Sequence, residues 1–298
     1  MHVCILVNKM SSFLLNLRDF LQLNHHHVVF LDCYTTLKLP PNIDVLIHKL
    51  NHHNFRHFDQ HLISFTKSSR RVIDPIHYIM PVSYRRTMFD ALFLSDKLPP
   101  GLQIPKTIVA SLANDPCLWL TDIITAKHQF SCDTVIIKSN LAVGSPRAHQ
   151  LAILNGQVNQ IAVSNSELLP CGDCVIQCFI HGTFIKVYVI VTKSEPLEFV
   201  TWASCSSNQP FIKNGLLIFD SSSTKSVSTI PKSTDSTLRL YSQFLINSYH
   251  LSFFGFDMIY DGSQYFVVDV NYLPSFNGCV DAELEAAKAI TGCYNPYK

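Results

Sequence analysis

The sequence predicts an α/β protein with a parallel sheet in an N-terminal lobe, followed by two α+β lobes. Strand and helix patterns alternate over roughly the first ninety residues, as in parallel sheets with crossover helices. A Pro/Gly-rich connector at Leu98–Pro105 follows, and short strands mixed with helices come after it. Domains usually hold about 100–200 residues, so a chain of 298 residues has room for several parts. We expect an N-terminal domain at 1–97, a central lobe at 98–178 and a C-terminal lobe at 179–298.

Each element is predicted from the period of its apolar residues. Short apolar runs bounded by polar or turn residues predict strands, and apolar residues three and four apart predict helices. In the first part the strands are predicted at Val3–Val7, His27–Leu31, Val45–His48 and Val72–Asp74, with helices at Ser11–Leu23 and Phe55–Lys67. In the rest they are predicted at Thr107–Ala110, Val135–Lys138, Cys174–Phe179, Lys186–Thr192, Gly255–Tyr260 and Tyr265–Val270, with helices at Leu118–Lys127, His149–Leu154 and Thr237–His250.

The charge balance argues against a nucleic-acid or membrane partner. The net charge is +1 and only 15% of residues are charged, whereas about 25% is usual. No apolar run reaches the roughly 18 residues of a membrane span, and the N-terminus lacks the basic region of a signal peptide. The 10 cysteines are unevenly spaced, which indicates reduced thiols. We expect a cytoplasmic monomer with no nucleic acid and no membrane among its partners.

The cysteine and histidine motifs are interpreted as structural. Cys171 and Cys174 form a C-x-x-C pair, but the segment runs into a predicted strand rather than a helix N-terminus. No second such pair completes a zinc site. A turn followed by a buried strand is therefore favoured over a redox or metal role, and the histidines at 25–27 and 52–53 are interpreted as loop residues.

Two predicted strands near the C-terminus carry a candidate metal site. A hairpin places Asp257 beside Asp269 and Asn271. The latter two are two residues apart, so their side chains share one face of the strand. Carboxylate and amide oxygens are hard ligands suited to Mg²⁺ with phosphate. Either aspartate alone would more often end a strand or cap a turn, but the whole pattern, with Asn271 and Pro274, favours metal ligands.

This C-terminal pattern resembles a known family. A strand with Asp, a hairpin and then Asp-x-Asn-x-x-Pro resemble the metal-binding signature of the ATP-grasp superfamily. The form of this signature at residues 254–257 and 268–274 is similar to that of the inositol polyphosphate kinases of the superfamily, the tris/tetrakisphosphate kinases. The resemblance implies an ATP-grasp fold whose two α+β lobes clasp ATP, and Mg²⁺-dependent transfer of the γ-phosphoryl group to a hydroxyl of an inositol phosphate. Further blocks follow the family's order at Asp44–Lys49, Ile73–Pro75, Tyr84–Arg85, Lys138, Gly144–Ile153, Gln177–Ile180 and Lys186–Val189.

Basic residues at strand ends gain roles from this resemblance. Lys138 ends an apolar strand, where its ammonium can reach phosphate oxygens, and Lys186 opens another, where an anionic ligand is its natural partner. The resemblance implies that Lys186 and His149 are catalytic residues. The residues of Gln177–Ile180 alone predict an edge strand. The resemblance implies that this segment is the hinge that binds adenine. The residues that the resemblance assigns to ATP are Arg85, Lys138, Gln177, Phe179, Ile180, Lys186 and Ser204.

On the acceptor side the chain departs from the family pattern. Val143 and Trp202 stand where the family has a histidine and an arginine. Ser275 replaces a glycine, and Arg147 adds a cation. We therefore expect a preference for inositols with fewer phosphates than the family's usual substrates. The residues that the resemblance and the local charge assign to the acceptor are Lys9, Lys49, Arg147, His149, Asn271 and Ser275.

Two other functions remain open on the sequence alone. ATP-grasp ligases share the scaffold and couple a carboxylate to an amine through an acyl phosphate, but the Ile-His-Lys block at 47–49 favours the kinase. A binding protein that kept nucleotide and lost turnover is supported by Val143 and Trp202, whereas the complete metal set argues against it. No residue is singled out as a general base.

Overall fold

The computed structural model describes residues 1–7, 10–32, 39–49, 69–94, 97–112, 116–142, 149–156, 172–193, 196–206, 215–220 and 229–292. The strands in these residues are β1 (His2–Val7), β2 (His27–Asp32), β3 (Ile43–Lys49), β4 (Ser69–Ile73), β5 (Leu102–Gln103), β6 (Thr107–Leu112), β7 (Thr134–Ser139), β8 (Gln150–Asn155), β9 (Gly172–Cys178), β10 (Thr183–Lys193), β11 (Glu198–Ser206), β12 (Gly215–Asp220), β13 (Phe253–Tyr260) and β14 (Tyr265–Tyr272). The helices are α1 (Ser12–Leu23), α2 (Ile76–Ser83), α3 (Arg85–Phe93), α4 (Pro116–Phe130), α5 (Ser236–Tyr249) and α6 (Ala282–Thr291). None of these described helices is long and apolar enough to cross a membrane.

The N-terminal sheet is parallel, as the alternating pattern predicts. Its strand order is β2-β1-β3-β4, and every neighbouring pair runs in the same direction. The helix α1 connects β1 to β2, and the Ser11 hydroxyl accepts the Leu14 N–H at its start. The carboxyl ends of parallel strands form the edge where such sheets bind ligands, and β3 stops there at Lys49. The helix predicted at Phe55–Lys67 lies outside the described residues.

The central sheet is antiparallel throughout and has the order β12-β8-β7-β9-β6. The helix predicted at His149–Leu154 is wrong, because this stretch forms strand β8. A short apolar run is compatible with either structure, and six residues are too few for a stable helix, so pairing with β7 and β12 decides. The edge strand predicted around Gln177 is also wrong, since β9 is an inner strand between β7 and β6.

The C-terminal sheet has the order β11-β10-β13-β14-β5. Its first four strands are antiparallel neighbours, and the short β5 runs parallel to β14. Two strands belong to a sheet outside the range that the sequence proposed for them. Strand β5, from the 98–178 range, joins the C-terminal sheet, and β12, from the 179–298 range, joins the central sheet. The three ranges therefore remain a proposal for the division of the chain. The sequence did not predict the elements β5, β11, β12, α2, α3 and α6.

Buried apolar residues form separate cores. One core joins the N-terminal lobe to the C-terminal sheet and includes Phe13 and Leu17 of α1 together with Phe276. The central sheet and α4 enclose a core of their own around Ile123 and Ile137. The N-terminal and C-terminal lobes thus share one packed interior, and the central lobe is packed independently of it.

Asp74 joins the N-terminal lobe to the C-terminal sheet. It follows β4 with a φ of 52° and is buried. Its carboxylate accepts the backbone N–H of Ser252 at 2.5 Å and of Phe253 at 2.9 Å, where β13 begins. Burial raises the pKa of Asp74 to about 6, although these hydrogen bonds favour the charged form. Nearby, Arg71 donates to the Ala289 carbonyl at 2.7 Å at the end of α6.

We expect Asp74→Asn to change the pH dependence of stability. The pKa of Asp74 rises from 3.8 to about 6 on folding, so the folded protein holds this proton more tightly. The resulting stabilisation is fully present below about pH 4 and is lost as the pH rises through 6. It corresponds to about 3 kcal/mol. The free energy of unfolding of the wild type minus that of the variant should fall by this amount between pH 4 and 7 in urea titrations.

The matched control is Asp44→Asn in the same lobe. The Asp44 carboxylate accepts the backbone N–H of His2 at 2.8 Å, and this hydrogen bond lowers the pKa of the partly exposed carboxyl. Its contribution is therefore present at neutral pH and lost on acidification, which is the opposite direction. The same sign of pH dependence for both variants would contradict the assignment to Asp74.

Candidate functional site

One face of the C-terminal sheet presents several predicted site residues side by side. Lys186 on β10 lies opposite Ser204 on β11 and Asp257 on β13. Asp257 in turn lies opposite Asp269 on β14. Directly opposed residues point to the same side of a sheet, so these four side chains form one transverse row. We call Ser204, Lys186, Asp257 and Asp269 the charged row.

A second row lies one step along the same strands. Tyr188 lies opposite Trp202 and Gly255, and Gly255 lies opposite Asn271. Residues two apart share a face, so this row is on the same side of the sheet as the charged row. At Gly255 a Cβ would lie 3.3 Å from Pro274 Cγ, so a larger residue would press on the segment that follows β14. The glycine therefore lets that segment approach and keeps Asn271 beside the two aspartates.

Each of the two carboxylates has one buried oxygen that accepts no hydrogen bond from the described residues. Asp257 Oδ1 and Asp269 Oδ1 are buried and have no hydrogen-bond donor among the described residues. Lys186 Nζ is 3.9 Å from Asp257 Oδ1, which makes an ion pair but is too long for a hydrogen bond. Buried acceptors without donors are costly, and a divalent cation would satisfy both oxygens. Two carboxylates and the Asn271 amide therefore fit Mg²⁺.

The electrostatics of Asp257 also favour a cation. Burial raises the pKa of Asp257, Lys186 opposes this effect, and Asp269 adds to it. In the part of the chain that the structure describes, no three His, Cys, Asp or Glu side chains cluster. Among the described residues, the Asn271 amide is therefore the candidate third ligand for a metal here, and oxygens of a bound molecule or of water would complete its coordination.

Arg85 connects the charged row to the central sheet. It is the first residue of α3 and is buried. Its Nη2 lies 3.3 Å from Asp269 Oδ2, and its Nη1 donates to the carbonyls of Ser139 at 2.6 Å and Leu141 at 3.3 Å. Its backbone N–H donates to the Asn140 carbonyl at 2.8 Å. One guanidinium thus fixes the start of α3, the end of β7 and the acidic strand β14 relative to each other.

Lys138 reaches the same place from the central sheet. It is 6% exposed, and its ammonium donates to the Val268 carbonyl at 3.0 Å. Burial, and after it Arg85, lower the pKa of Lys138 to about 8, while Asp269 and Asp257 counteract them. Desolvating an ammonium is expensive, so this position favours an anionic partner such as phosphate.

Lys186 is more accessible than Lys138, since 40% of its side chain is exposed. Asp257 raises the pKa of Lys186 and burial opposes this, so the ammonium is charged at neutral pH. Its Nζ lies 5.8 Å from the centroid of the Tyr188 ring. The Lys186 ammonium is therefore accessible to a ligand that binds at the charged row.

The predicted adenine segment leaves the end of β9. Gln177 is fully buried; its Nε2 donates to Thr107 Oγ1 at 3.0 Å, and its Oε1 has no donor in the described part of the chain. The Phe179 N–H donates to the Thr134 carbonyl at 3.0 Å. Phe179 and Ile180 are half-buried. The segment is thus an extended connection between the central and C-terminal sheets.

The predicted acceptor residues are described only in part. Lys49 is half-buried at the end of β3, and Ser275 is half-buried in the segment that follows β14. His149 is exposed directly before β8. Three positions lie outside the described residues: Lys9, Val143 and Arg147.

Trp202 belongs to an aromatic cluster rather than to an open surface. It is fully buried, and its Nε1 donates to the Val280 carbonyl at 2.8 Å. The Phe276 ring lies 6.3 Å from Trp202, 5.7 Å from Tyr188 and 4.8 Å from Phe13 of α1, measured between ring centroids. These rings close the sheet face beyond the second row with apolar surface.

Asn140 is a supporting residue that sequence analysis did not single out. Its Oδ1 accepts the backbone N–H of Arg86 at 2.9 Å, and its own N–H donates to the Asp173 carbonyl at 2.8 Å. It therefore holds the first turn of α3, and with it Arg85, against the central sheet. Asparagine after a strand is an ordinary turn residue, so no sequence pattern distinguished this one.

The stretch that contains these rows matches a protein-family model. The model, described as the inositol 1,3,4-trisphosphate 5/6-kinase ATP-grasp domain, matches residues 121–286, which is more than half of the chain. The match includes Lys138, Lys186 and both rows. The chain belongs to this family. No curated protein sequence gave a match to the chain.

Solved structures show that this kinase-family chain has the ATP-grasp fold, as the sequence predicts. A RimK domain ATP-grasp protein from Sphaerobacter thermophilus aligns over 97% of this chain and 98% of its own, with a TM-score of 0.62 and 14% identity. The D-alanine–D-alanine ligase of Bacillus anthracis aligns over 96% of this chain and 92% of its own, with a TM-score of 0.59 and 14% identity. The ATP-grasp ligase PsnB, solved with minimal precursor, Mg and ADP, aligns over 96% of this chain and 97% of its own, with a TM-score of 0.56 and 11% identity. At these identities the likeness concerns the fold.

Proposed function

We propose that the protein is a Mg²⁺-dependent kinase that transfers the γ-phosphoryl group of ATP to a hydroxyl of an inositol phosphate. The observation that carries this proposal is the charged row inside the span matched by the kinase-family model. There, two half-buried carboxylates lie beside Lys138, Lys186 and Arg85, and each has a buried oxygen that accepts no hydrogen bond from the described residues. Such a group of charges suits a polyphosphate with its metal ion.

Asp257, Asp269 and Asn271 would hold Mg²⁺. The bound ion would supply charge neutralisation on the phosphoryl group. The unpartnered oxygens of the two aspartates, and the neighbour solved with Mg and ADP, support this assignment. Arg85 orients Asp269 through its contact with Oδ2, which leaves Oδ1 for a metal.

The lysines neutralise phosphate charge and position the reacting groups. Lys138 is buried and held by the Val268 carbonyl, so we assign it to the nucleotide phosphates. Lys186 is exposed on one side, so we assign it, together with His149, to the phosphoryl group in transfer and to alignment of the acceptor hydroxyl. The remaining residues that we assign to ATP are Arg85, Gln177, Phe179, Ile180 and Ser204.

The acceptor would lie between the C-terminal sheet and the N-terminal lobe. Parallel sheets usually bind ligands at the carboxyl ends of their strands. Lys49 lies at this end of β3, which supports a role in binding the acceptor. The residues that we assign to the acceptor are Lys9, Lys49, Arg147, His149, Asn271 and Ser275.

Product analysis with labelled ATP tests this proposal. Purified protein with Mg²⁺ and γ-labelled ATP should transfer the label to a member of a panel of inositol mono- to tetrakisphosphates. A ligase would instead release labelled phosphate, and only when a carboxylate and an amine are both supplied. Nucleotide binding without either product would mean a binding protein that has lost turnover.

We expect Lys138→Met to weaken ATP binding roughly ten- to hundredfold, because a charge-assisted contact contributes about 1.5–3 kcal/mol. Methionine retains the apolar stem and leaves no buried charge, so the fold should persist. Lys106→Met is the matched control, because Lys106 donates to the Phe130 carbonyl at 3.2 Å in the same lobe. Equal ATP affinity of the two variants in calorimetry would remove Lys138 from the nucleotide site.

A further inference from the structure

The side-chain amide of Gln177 lies on the face of the central sheet that turns away from α4, since the opposite face packs with that helix. Gln177 on β9 lies opposite Ile136 on β7, and Lys138 is two residues further along β7, so Gln177 and Lys138 share this face. Lys138 donates from the same face to the Val268 carbonyl of β14. Gln177 therefore faces the C-terminal sheet, on the same side as the lysine that we assign to the nucleotide phosphates.

Two consecutive hydrogen bonds determine which end of this amide is free. Thr107 on β6 lies directly opposite Gln177. Thr107 Oγ1 donates to the Pro105 carbonyl at 2.8 Å, and Gln177 Nε2 donates to Thr107 Oγ1 at 3.0 Å. A hydroxyl has one proton, so a threonine that donates to a carbonyl can only accept from its other neighbour. Gln177 must therefore present its NH₂ group to Thr107, which leaves its oxygen for another partner.

The free oxygen of Gln177 has no donor. The residue is fully buried, and Oε1 accepts no hydrogen bond from the described residues. A buried acceptor without a donor is costly. Turning the amide over would not remove this cost, because Gln177 Oε1 and the Pro105 carbonyl would then compete for the single Thr107 proton. The position therefore favours a ligand group that donates a hydrogen bond.

We infer that Thr107 is a positioning residue that fixes Gln177 Oε1 as the acceptor for the 6-amino group of a purine, and so selects adenine over 6-oxopurines. The inference rests on the proposed function for its ligand, a nucleoside triphosphate, and adds how the base is chosen. Phe179 and Ile180, which follow Gln177 in the chain, are half-buried and offer apolar surface to a base. A 6-oxopurine would place its own oxygen against Oε1 with no proton between the two.

Calorimetry with ATP and inosine triphosphate tests the inference, because these nucleotides differ only at position 6 and in the proton on N1. The wild type should bind ATP on the order of a hundredfold more tightly. Thr107→Val keeps the side-chain shape and removes the hydroxyl, so the amide can turn to suit either base. Inosine triphosphate should then bind about tenfold more tightly than it does to the wild type, with little change for ATP. Thr107→Ser retains the hydroxyl and should keep the wild-type ratio.

The control is Thr201→Val in the C-terminal sheet. Thr201 is fully buried, its hydroxyl donates to the Ser233 carbonyl at 3.0 Å, and it points to the sheet face opposite the two rows. Its replacement should leave the ratio of the two affinities unchanged. Equal binding of both nucleotides by the wild type, which needs no variant, would overturn the inference while the kinase function stands. The same follows if Thr107→Val weakens both nucleotides alike, whereas a wild type that binds neither would overturn both proposals.

Discussion

Asp269→Asn should lower turnover by on the order of a thousandfold in a protein that stays folded. The amide is neutral and a weaker ligand, so the cation proposed between Asp257 and Asp269 would lose one of its two charged oxygens. The fold should persist because the asparagine oxygen can still accept from Arg85, which also donates to the Ser139 and Leu141 carbonyls. The measurements are labelled-phosphate transfer and the midpoint of urea unfolding.

The control for Asp269→Asn is Asp90→Asn. Asp90 is an exposed residue of α3 that pairs with Arg86 at 3.6 Å and belongs to neither row. This variant should keep wild-type turnover. Unchanged activity in Asp269→Asn would remove the metal assignment, and an equal loss in both variants would show that the effect comes from the fold.

Lys186→Met should lower kcat/KM roughly a hundred- to thousandfold, with losses in both kcat and ATP affinity. Its ammonium is the exposed cation of the charged row, 3.9 Å from Asp257, and nothing in methionine replaces the charge. The apolar stem is retained, so packing against Tyr188 should persist. Initial rates over a range of ATP and acceptor concentrations separate the two losses.

Lys193→Met provides a control on the same strand. Lys193 lies at the end of β10 and pairs with the exposed Glu198 at 3.4 Å, so its charge lies outside the site. Its replacement should leave kinetics unchanged. A drop in ATP affinity without any drop in kcat for Lys186→Met would reassign this lysine from phosphoryl transfer to nucleotide binding alone.

The sequence predicted the features that depend on local patterns. The hairpin turn and the period of two are properties of short segments, and they were enough to place Asp257 opposite Asp269. The parallel N-terminal sheet followed from alternating strand and helix signals. Strand β8 was mistaken for a helix because its identity depends on pairing with β7 and with β12, which is about sixty residues away in the chain.

The supporting contacts of the site were beyond sequence reasoning for a related reason. Arg85 was assigned only by resemblance, and its reach to Asp269 joins residues separated by 184 positions. Asn140 carries no distinguishing pattern, although it fixes the start of α3.

The core of the central lobe is separate from the core that the N-terminal and C-terminal lobes share, and this separation affects how the lobes can move. Packed interiors shift as units instead of deforming gradually, so the N-terminal and C-terminal lobes should travel as one rigid body against the central lobe. Among the described residues, the contacts between these two bodies include hydrogen bonds from Arg85 to the Ser139 carbonyl and from Lys138 to the Val268 carbonyl. If the lobes close over a nucleotide, we therefore expect a hinge movement about these polar contacts, in which each hydrophobic interior keeps its packing.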